Sequence, residues 1–555
     1  MTAGYHIGTV VGDTSPQEFK FVLRSRAAKL GDLVSVGMEI PRGSMDVRGV
    51  NVEAVTVWGR IVELVRFNPF LPIEAGQELA EEGIKMLDTI LSFSRDQTEA
   101  RVLVLGCAAN GDERNLRPLN YPVSPGAEVI LPPAETVRRI LTGDEDVRRL
   151  KLGHLIGRPD VTVSLKTNAI VARHMAILAM TGGGKTVAAR RVIRELLDAQ
   201  YPLVIFDPHG DYLGFWSKRD LFPRSTIRLF YPDMRIQDET RDLIGYLVKE
   251  MTQGLTEPQR DVFDAALEDT RVDERGTEVS VFIDRLLQKL ESMRDDNQRR
   301  HPGTIPAVKR TLRIVASHIA AMQKSNERLR TQERLKSFDF SPLPDPMSCP
   351  HEIVRPGQAS IIYLGGYDHI TQSTIVALVL KELFERRASM SNEIPPLLAV
   401  IEEAHNFIPS HGEGQADTPS VEIIRKVITE GRKFGVGLLL ISQRPSRLDE
   451  TTLSQCNTYM IFRLVNPKDQ SFVEKVMENL TKADSRLLPS FGPGQGIVSG
   501  QAVRFPLLVQ VKFDEDLVTT SLGDEDFLAE AEKWKDSRES AAAERSDRMT
   551  RELEP

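Results

Sequence analysis

The chain has 555 residues, 41% of them hydrophobic and 27% charged, and a net charge of −8. These proportions exclude a collagen, a mucin-like stalk and a wholly disordered chain, and at about 150 residues per domain the length predicts three or four domains. The acidic balance argues against non-specific coating of a polyanion, so any grip on nucleic acid has to come from a local basic surface.

No run approaches the ~20 apolar residues that span a bilayer, and MTAGYHIGTVVGD lacks the basic and apolar regions of a secretory signal. Cys107, Cys349 and Cys456 lie far apart. That spacing predicts neither a disulfide framework nor a zinc site and points to a reducing cytoplasm, without a membrane anchor.

Residues 1–140 read as a β-rich domain. IGTVVGD, FKFVLR, DLVSVGMEI, AVTVWGRIVELV, RVLVLGCAANG and AEVILPP are short strand-like runs separated by Gly, Pro and Asp, the pattern of a small barrel or sandwich. Between them, Ala75 to Phe93 has helical periodicity and predicts a helical insertion in the barrel. From about Leu152 the texture changes. HMAILA reads as a buried strand, KTVAARRVIRELLDA as a helix and PLVIFD as a second strand. This succession predicts a parallel α/β sheet with right-handed crossovers, begun over residues 150–244.

Residues 245–345 are charged and helical in character and predict a helical bundle inserted into the sheet domain. The sheet pattern resumes over 346–512 with ASIIYLGG, the apolar helix STIVALVLKELFERR, and the strands LLAVIE, VGLLLISQ and TYMIFRL. Residues 513–555 predict a C-terminal helical arm, either clasping a partner or solvated.

The strongest chemical signal is AMTGGGKT, Ala179 to Thr186, between a strand and a helix. It departs from the phosphate-loop pattern GxxxxGK[ST] only in Ala179 for the first glycine. Glycines admit the positive φ angles that turn several N–H groups toward one anion, and the following helix adds its dipole. Thr181, Gly182, Gly183, Gly184, Lys185, Thr186 and Val187 are therefore the candidate ATP-binding residues, with Lys185 for the β/γ-phosphates and the Thr186 hydroxyl for Mg²⁺.

A hydrolase of this class needs an acidic group at the tip of a neighbouring strand, and LLAVIE ends in Glu402 and Glu403. Adjacent strand residues point to opposite faces. That alternation predicts Glu402 holding Mg²⁺ through water and Glu403 activating the attacking water. Gln443, at the end of VGLLLISQ, reads as a γ-phosphate sensor or a solvated strand end. Asp207, ending VIFD, reads as a group that orients the water or Lys185, or as a turn cap. Arg432 in GRK is either a basic turn or an arginine delivered to a phosphate in cis or in trans. His405 reads as a catalytic helper or a buried structural histidine. Arg299, Arg300, Lys309, Arg310 and Arg313 form a basic cluster that is either a DNA surface or a solvated face.

AILAMTGGGKT, VIFDPHGDY, IEEAHNFIP and EGRKFGVGLLLISQRP, in this order, resemble the HerA family of hexameric DNA translocases in the HerA–FtsK group. The resemblance implies a RecA-like P-loop NTPase core, an N-terminal HAS-barrel-like domain, a homo-hexameric ring and double-stranded DNA in its lumen. It implies that Glu403 is the catalytic glutamate, that Arg432 is an arginine finger acting on the neighbour's ATP, and that Arg173 is a further arginine near the nucleotide. It implies an ATP-driven motor working with a NurA-type nuclease in DNA-end processing and repair. The alternative it leaves open is a ring that scaffolds and controls a nuclease or sirtuin-like effector in anti-phage defence.

Overall fold

Alternating apolar residues fold the first six runs into a closed antiparallel barrel. Its strands are β1 (Tyr5–Val11), β2 (Glu18–Leu23), β3 (Leu33–Pro41), β4 (Val52–Phe67), β5 (Gln97–Ala109) and β6 (Glu128–Leu131), in the order β1-β2-β5-β4-β3-β6. Phe19 and Phe21 of β2, Val34 and Val36 of β3, and Val55 and Val57 of β4 share its apolar core, as period-two alternation requires. The computed structural model describes residues 4–517 apart from 25–27, 42–51, 69–95, 110–111, 113–114, 144–146, 234, 237–241, 253, 274–276, 294–302, 332–334, 390–392, 411–417 and 478–479. The helical segment expected at Ala75 to Phe93, the basic residues Arg299 and Arg300, and all but the first residues of the expected C-terminal arm lie outside the described residues.

The second sheet contains β7 (Arg149–Leu155), β8 (Thr162–Lys166), β9 (Met175–Leu178), β10 (Leu203–Asp207) and β11 (Thr226–Tyr231). A short pair, β12 (Arg235–Ile236) and β13 (Thr277–Glu278), stands apart from it. The chain then returns to the sheet with β14 (Phe340–Pro342), β15 (Gln358–Tyr363), β16 (Leu397–Ile401), β17 (Val436–Ser442), β18 (Thr458–Ile461), β19 (Gln495–Gly500) and β20 (Leu507–Val511). The order is β14-β11-β15-β10-β16-β17-β9-β18-β19-β20-β7-β8. The stretch from β14 to β18 is parallel and the rest antiparallel. The antiparallel extension, the edge strand β14 and its neighbour β11 carry no strong local signal in the sequence. They are recruited by pairing with the parallel core.

Helices cover both faces of the parallel part, which is why its central strands are apolar throughout. Met175 and Ile177 of β9 pack with helix α1 (Lys185–Asp198), whereas Ala176 and Leu178 face the opposite layer. That layer includes α2 (Asp242–Met251), α3 (Glu257–Glu268), α4 (Val279–Ser292), α5 (Thr304–Thr331), α6 (His369–Ala388) and α7 (Ser420–Phe434). Along α5 the buried stripe is Ile305, Val308, Leu312, Val315, Ile319 and Met322, spaced to keep one face of a 3.6-residue helix inward. Each such side chain contributes about 2 kcal/mol on burial. The helices of the predicted insertion thus share one apolar core with the sheet.

The barrel is tied to the core by a buried ion pair. Arg60 of β4 reaches Asp484 at 2.8 Å, and the two side chains are 1% and 2% exposed. Asp484 also closes a capping box with Thr481 at the start of α8 (Lys482–Leu487). Among the described residues, no helix is long and apolar enough to cross a membrane.

Candidate nucleotide site

The phosphate loop follows β9 directly and ends at Gly184, the N-cap of α1. Gly182 and Gly184 have φ of 76° and 103°, conformations that side chains disfavour. Gly184 is further constrained by packing, because a Cβ there would lie 2.5 Å from the Gly494 nitrogen. The loop is tethered by Met180 N–H donating to the Arg463 carbonyl at 2.9 Å and Ala179 N–H donating to the Ser442 carbonyl at 3.2 Å. Ala179 is fully buried, so the departure from glycine leaves the outward N–H groups unaffected. Thr186 and Val187 occupy the first turn of α1, where unpaired N–H groups and the helix dipole favour an anion.

Sheet order brings the acidic strand end to this loop. β16 is not the immediate neighbour of β9, because β17 lies between them. The expectation that the two glutamates point to opposite faces is not met. β16 ends at Ile401, and Glu403 adopts a left-handed conformation with φ 52°, a cost of roughly 1–2 kcal/mol for a residue with a Cβ. Both carboxylates consequently turn onto one ammonium: Lys185 Nζ lies 2.5 Å from Glu402 and 2.6 Å from Glu403. These side chains are 11%, 0% and 4% exposed.

Two buried carboxylates facing one cation leave a net negative charge. Burial pushes the Glu402 carboxyl up to about 7, with Lys185 and the Tyr212 hydroxyl opposing part of the rise. Burial alone would lower Lys185, but the two glutamates outweigh it and keep the ammonium charged. Glu403 Oε2 is buried without a hydrogen bond, 3.3 Å from His405 Nδ1. His405 also lies 3.1 Å from Ser442 Oγ, and its pKa is lowered chiefly by burial. Gln443, just beyond β17, accepts a 2.6 Å hydrogen bond from the Thr181 hydroxyl. Gln443 is thereby held against the phosphate loop.

Of the two readings of Asp207, its contacts are those of the turn cap. Its fully buried carboxylate accepts from the N–H groups of His209, Gly210, Asp211 and Tyr212. It shapes the turn after β10. Burial, then nearby Asp211, pushes its carboxyl up to about 6 against those hydrogen bonds.

Arg173 precedes β9, at the strand end opposite the phosphate loop, and its guanidinium donates to Gln501. Arg432 is exposed in the last turn of α7, before β17 begins. Seven residues of β17 separate that end from Gln443, roughly 20 Å at a strand's rise. The two arginines share an edge, since a Cβ on Gly431 would meet His174 at 3.5 Å. Neither is placed to serve this chain's own loop. Of the basic cluster, Lys309 pairs with Glu291 at 2.5 Å, while Arg310 and Arg313 are exposed on α5.

Sequence reading missed two contributors. Pro493–Gly494 braces the glycines of the loop, for which the GPG tripeptide is the available signal. Tyr212 donates its hydroxyl to Glu402 Oε2, and only the aromatic ending of VIFDPHGDY hints at it. The residues present fit a magnesium nucleotide. Gly182 and Gly184 hold the positive φ angles that an anion-binding loop needs, the carboxylates of Glu402 and Glu403 converge on Lys185 at the start of the following helix, and Glu403 Oε2 is buried without a hydrogen bond.

Residues 150–383 match the family described as the central domain of the helicase HerA. A Methanocaldococcus jannaschii protein named "probable helicase" is 26% identical over 94% of each chain. The DNA double-strand break repair helicase HerA of Pyrococcus furiosus is 27% identical over 75% of this chain and 78% of that one. The protein of that name from Saccharolobus solfataricus is 25% identical over 96% of each. Among solved structures, VirB4 of Thermoanaerobacter pseudethanolicus aligns with a TM-score of 0.46 at 14% identity, covering 68% of this chain and 99% of that one.

Proposed function

We infer that this chain, a P-loop ATP hydrolase related to the HerA helicases, is an ATP-driven ring motor that translocates on or unwinds double-stranded DNA, working with a partner nuclease in DNA-end processing and repair. The observation that carries the hydrolase reading is the convergence of Lys185, Glu402 and Glu403 beside a loop whose Gly182 and Gly184 adopt positive φ. The HerA names and DNA-repair role of the relatives support the substrate.

The β- and γ-phosphates would lie against the N–H groups from Thr181 to Val187, with Lys185 turning from the glutamates to their oxygens. Thr186, and Glu402 through water, would hold magnesium, which would offset the charge of the phosphates. Glu403, with one oxygen free of hydrogen bonds, accepts a proton from the attacking water. Gln443, anchored on Thr181, reports the γ-phosphate to β17.

The positions of Arg432 and Arg173 support a ring. Both sit at the sheet edge away from their own loop, so they reach a phosphate only by meeting the next subunit. An arginine supplied in trans accelerates phosphoryl transfer by about 10³–10⁵. Six copies also focus a few basic side chains into one channel, which reconciles DNA binding with an acidic chain.

The test is a DNA-stimulated ATPase assay with Glu403→Gln, paired with triplex displacement on duplex DNA. Glu403→Gln is expected to bind ATP and to lose hydrolysis by more than a hundredfold. Wild-type protein that hydrolyses ATP and assembles but displaces no triplex would instead favour a ring that scaffolds an effector.

A further inference from the structure

The segment VIFDPHGDY ends on Tyr212, whose side chain is completely buried. Its placement is over-determined. The four N–H donors on Asp207 span 2.7 to 3.2 Å and fold residues 207–212 into a tight turn. Arg190 of α1, the helix that begins at Lys185, grips the same turn through two hydrogen bonds to the Asp211 carbonyl, at 3.0 and 2.7 Å. The phosphate-loop helix and the β10 turn are thereby one unit. From this unit the Tyr212 hydroxyl reaches across the sheet to Glu402 Oε2.

A buried tyrosine needs one acceptor, and a nearby backbone carbonyl would serve. Here the acceptor is the carboxylate of the nucleotide site. Burial, then the neighbouring Glu402, raises the Tyr212 phenol well above its ordinary value, so it remains a donor. A hydroxyl-to-carboxylate hydrogen bond away from water is strong and directional. It occupies one oxygen of Glu402 and leaves the other, Oε1, facing Lys185 at 2.5 Å.

We propose that Tyr212 is a positioning residue for Glu402, fixing the carboxylate so that only Oε1 is presented to the metal–nucleotide, and that Asp207 acts one step further out by setting the turn that aims Tyr212. The proposal rests on the ATP-hydrolase reading above. It converts Asp207 from a direct participant to a residue acting through Tyr212.

The experiment measures binding of a fluorescent ADP analogue to the full chain, once in EDTA and once across a Mg²⁺ titration, for wild type, Tyr212→Phe and Asp207→Asn. Tyr212→Phe removes one oxygen atom from a packed ring. Its affinity in EDTA is expected within twofold of wild type, while the Mg²⁺ midpoint rises about tenfold, the order seen when an outer contact to a metal-site group is lost. Asp207→Asn keeps one carbonyl oxygen as acceptor and is expected to move the midpoint in the same direction by less. A merely structural role would lower both affinities together or neither. A folded Tyr212→Phe with a Mg²⁺ midpoint within twofold of wild type overturns the role of Tyr212, as does a parallel loss in EDTA. Wild-type protein that binds no nucleotide in either condition overturns the hydrolase reading itself, and this proposal with it.

Discussion

Replacing Lys185 with methionine tests the electrostatics of the site independently of hydrolysis. Methionine keeps much of the length and removes the charge, leaving Glu402 and Glu403 buried together without a cation. Breaking a buried ion pair from one side costs about 3–5 kcal/mol. The protein can limit that cost by protonating a carboxylate, at about 1.4 kcal/mol for every pH unit above its ordinary pKa. The ordinary glutamate value is 4.5, so the ceiling per carboxylate is about 5 kcal/mol at pH 8 but only about 1.4 kcal/mol at pH 5.5. The sign follows: a carboxyl whose folded pKa is raised is best tolerated at low pH, and stability is lost as pH rises toward that value. At about 2 °C per kcal/mol for a domain of this size, nucleotide-free Lys185→Met should melt about 6–10 °C below wild type at pH 8 and about 3 °C below it at pH 5.5. Adding Glu402→Gln should recover at least half of the pH 8 loss, because the remaining carboxylate no longer repels a second one. Equal melting temperatures at pH 8, or a loss of the same size at both pH values, would refute the account of a charge triad.

Two further expectations concern the opposite edge of the sheet. His174, at φ 56°, is buried with Nδ1 accepting from the Leu438 N–H at 3.1 Å, and burial lowers its pKa from 6.5 to about 4. A depressed pKa contributes stability above pH 6.5 that is lost as pH falls toward 4, about 3 kcal/mol in all. His174→Asn, which tolerates positive φ and retains an acceptor, should flatten the stability profile in that window, and an unchanged slope in urea unfolding from pH 7 to pH 4.5 would contradict it. For Arg432, rings mixed from Arg432→Ala and Glu403→Gln subunits should recover hydrolysis, since an interface pairing an intact glutamate with an intact neighbouring arginine reappears. An all-Arg432→Ala ring with full ATPase activity would remove Arg432 from the mechanism.

The phosphate loop was legible because its chemistry is local: consecutive backbone N–H groups bind one anion, so the glycines and Lys185 must be adjacent in the chain. The six barrel runs and the strands ending in Asp207, Ile401 and Ser442 were legible for a similar reason, since burial on one face or both leaves a short-range apolar pattern. The roles of single polar residues were less so. Its strand-end position leaves Asp207 open between a reactive carboxylate and a turn cap, and its partners in the fold are the N–H groups of the next few residues.

Composition and periodicity therefore settled the kinds of element and where the phosphate loop lies, because those depend on neighbours within a turn or two. Which side chains meet was decided by strand order and by one backbone angle. Tyr212 finds Glu402 across 190 positions, Glu403 joins Glu402 on Lys185 only because its φ is 52°, and Gly494 seals the loop from a different strand connection. Arg173 and Arg432 lie at the same end of the sheet because β9 runs parallel beside β17. Contacts of this kind carry no local propensity. They exist only after the loops between them have closed and the sheet has chosen its order.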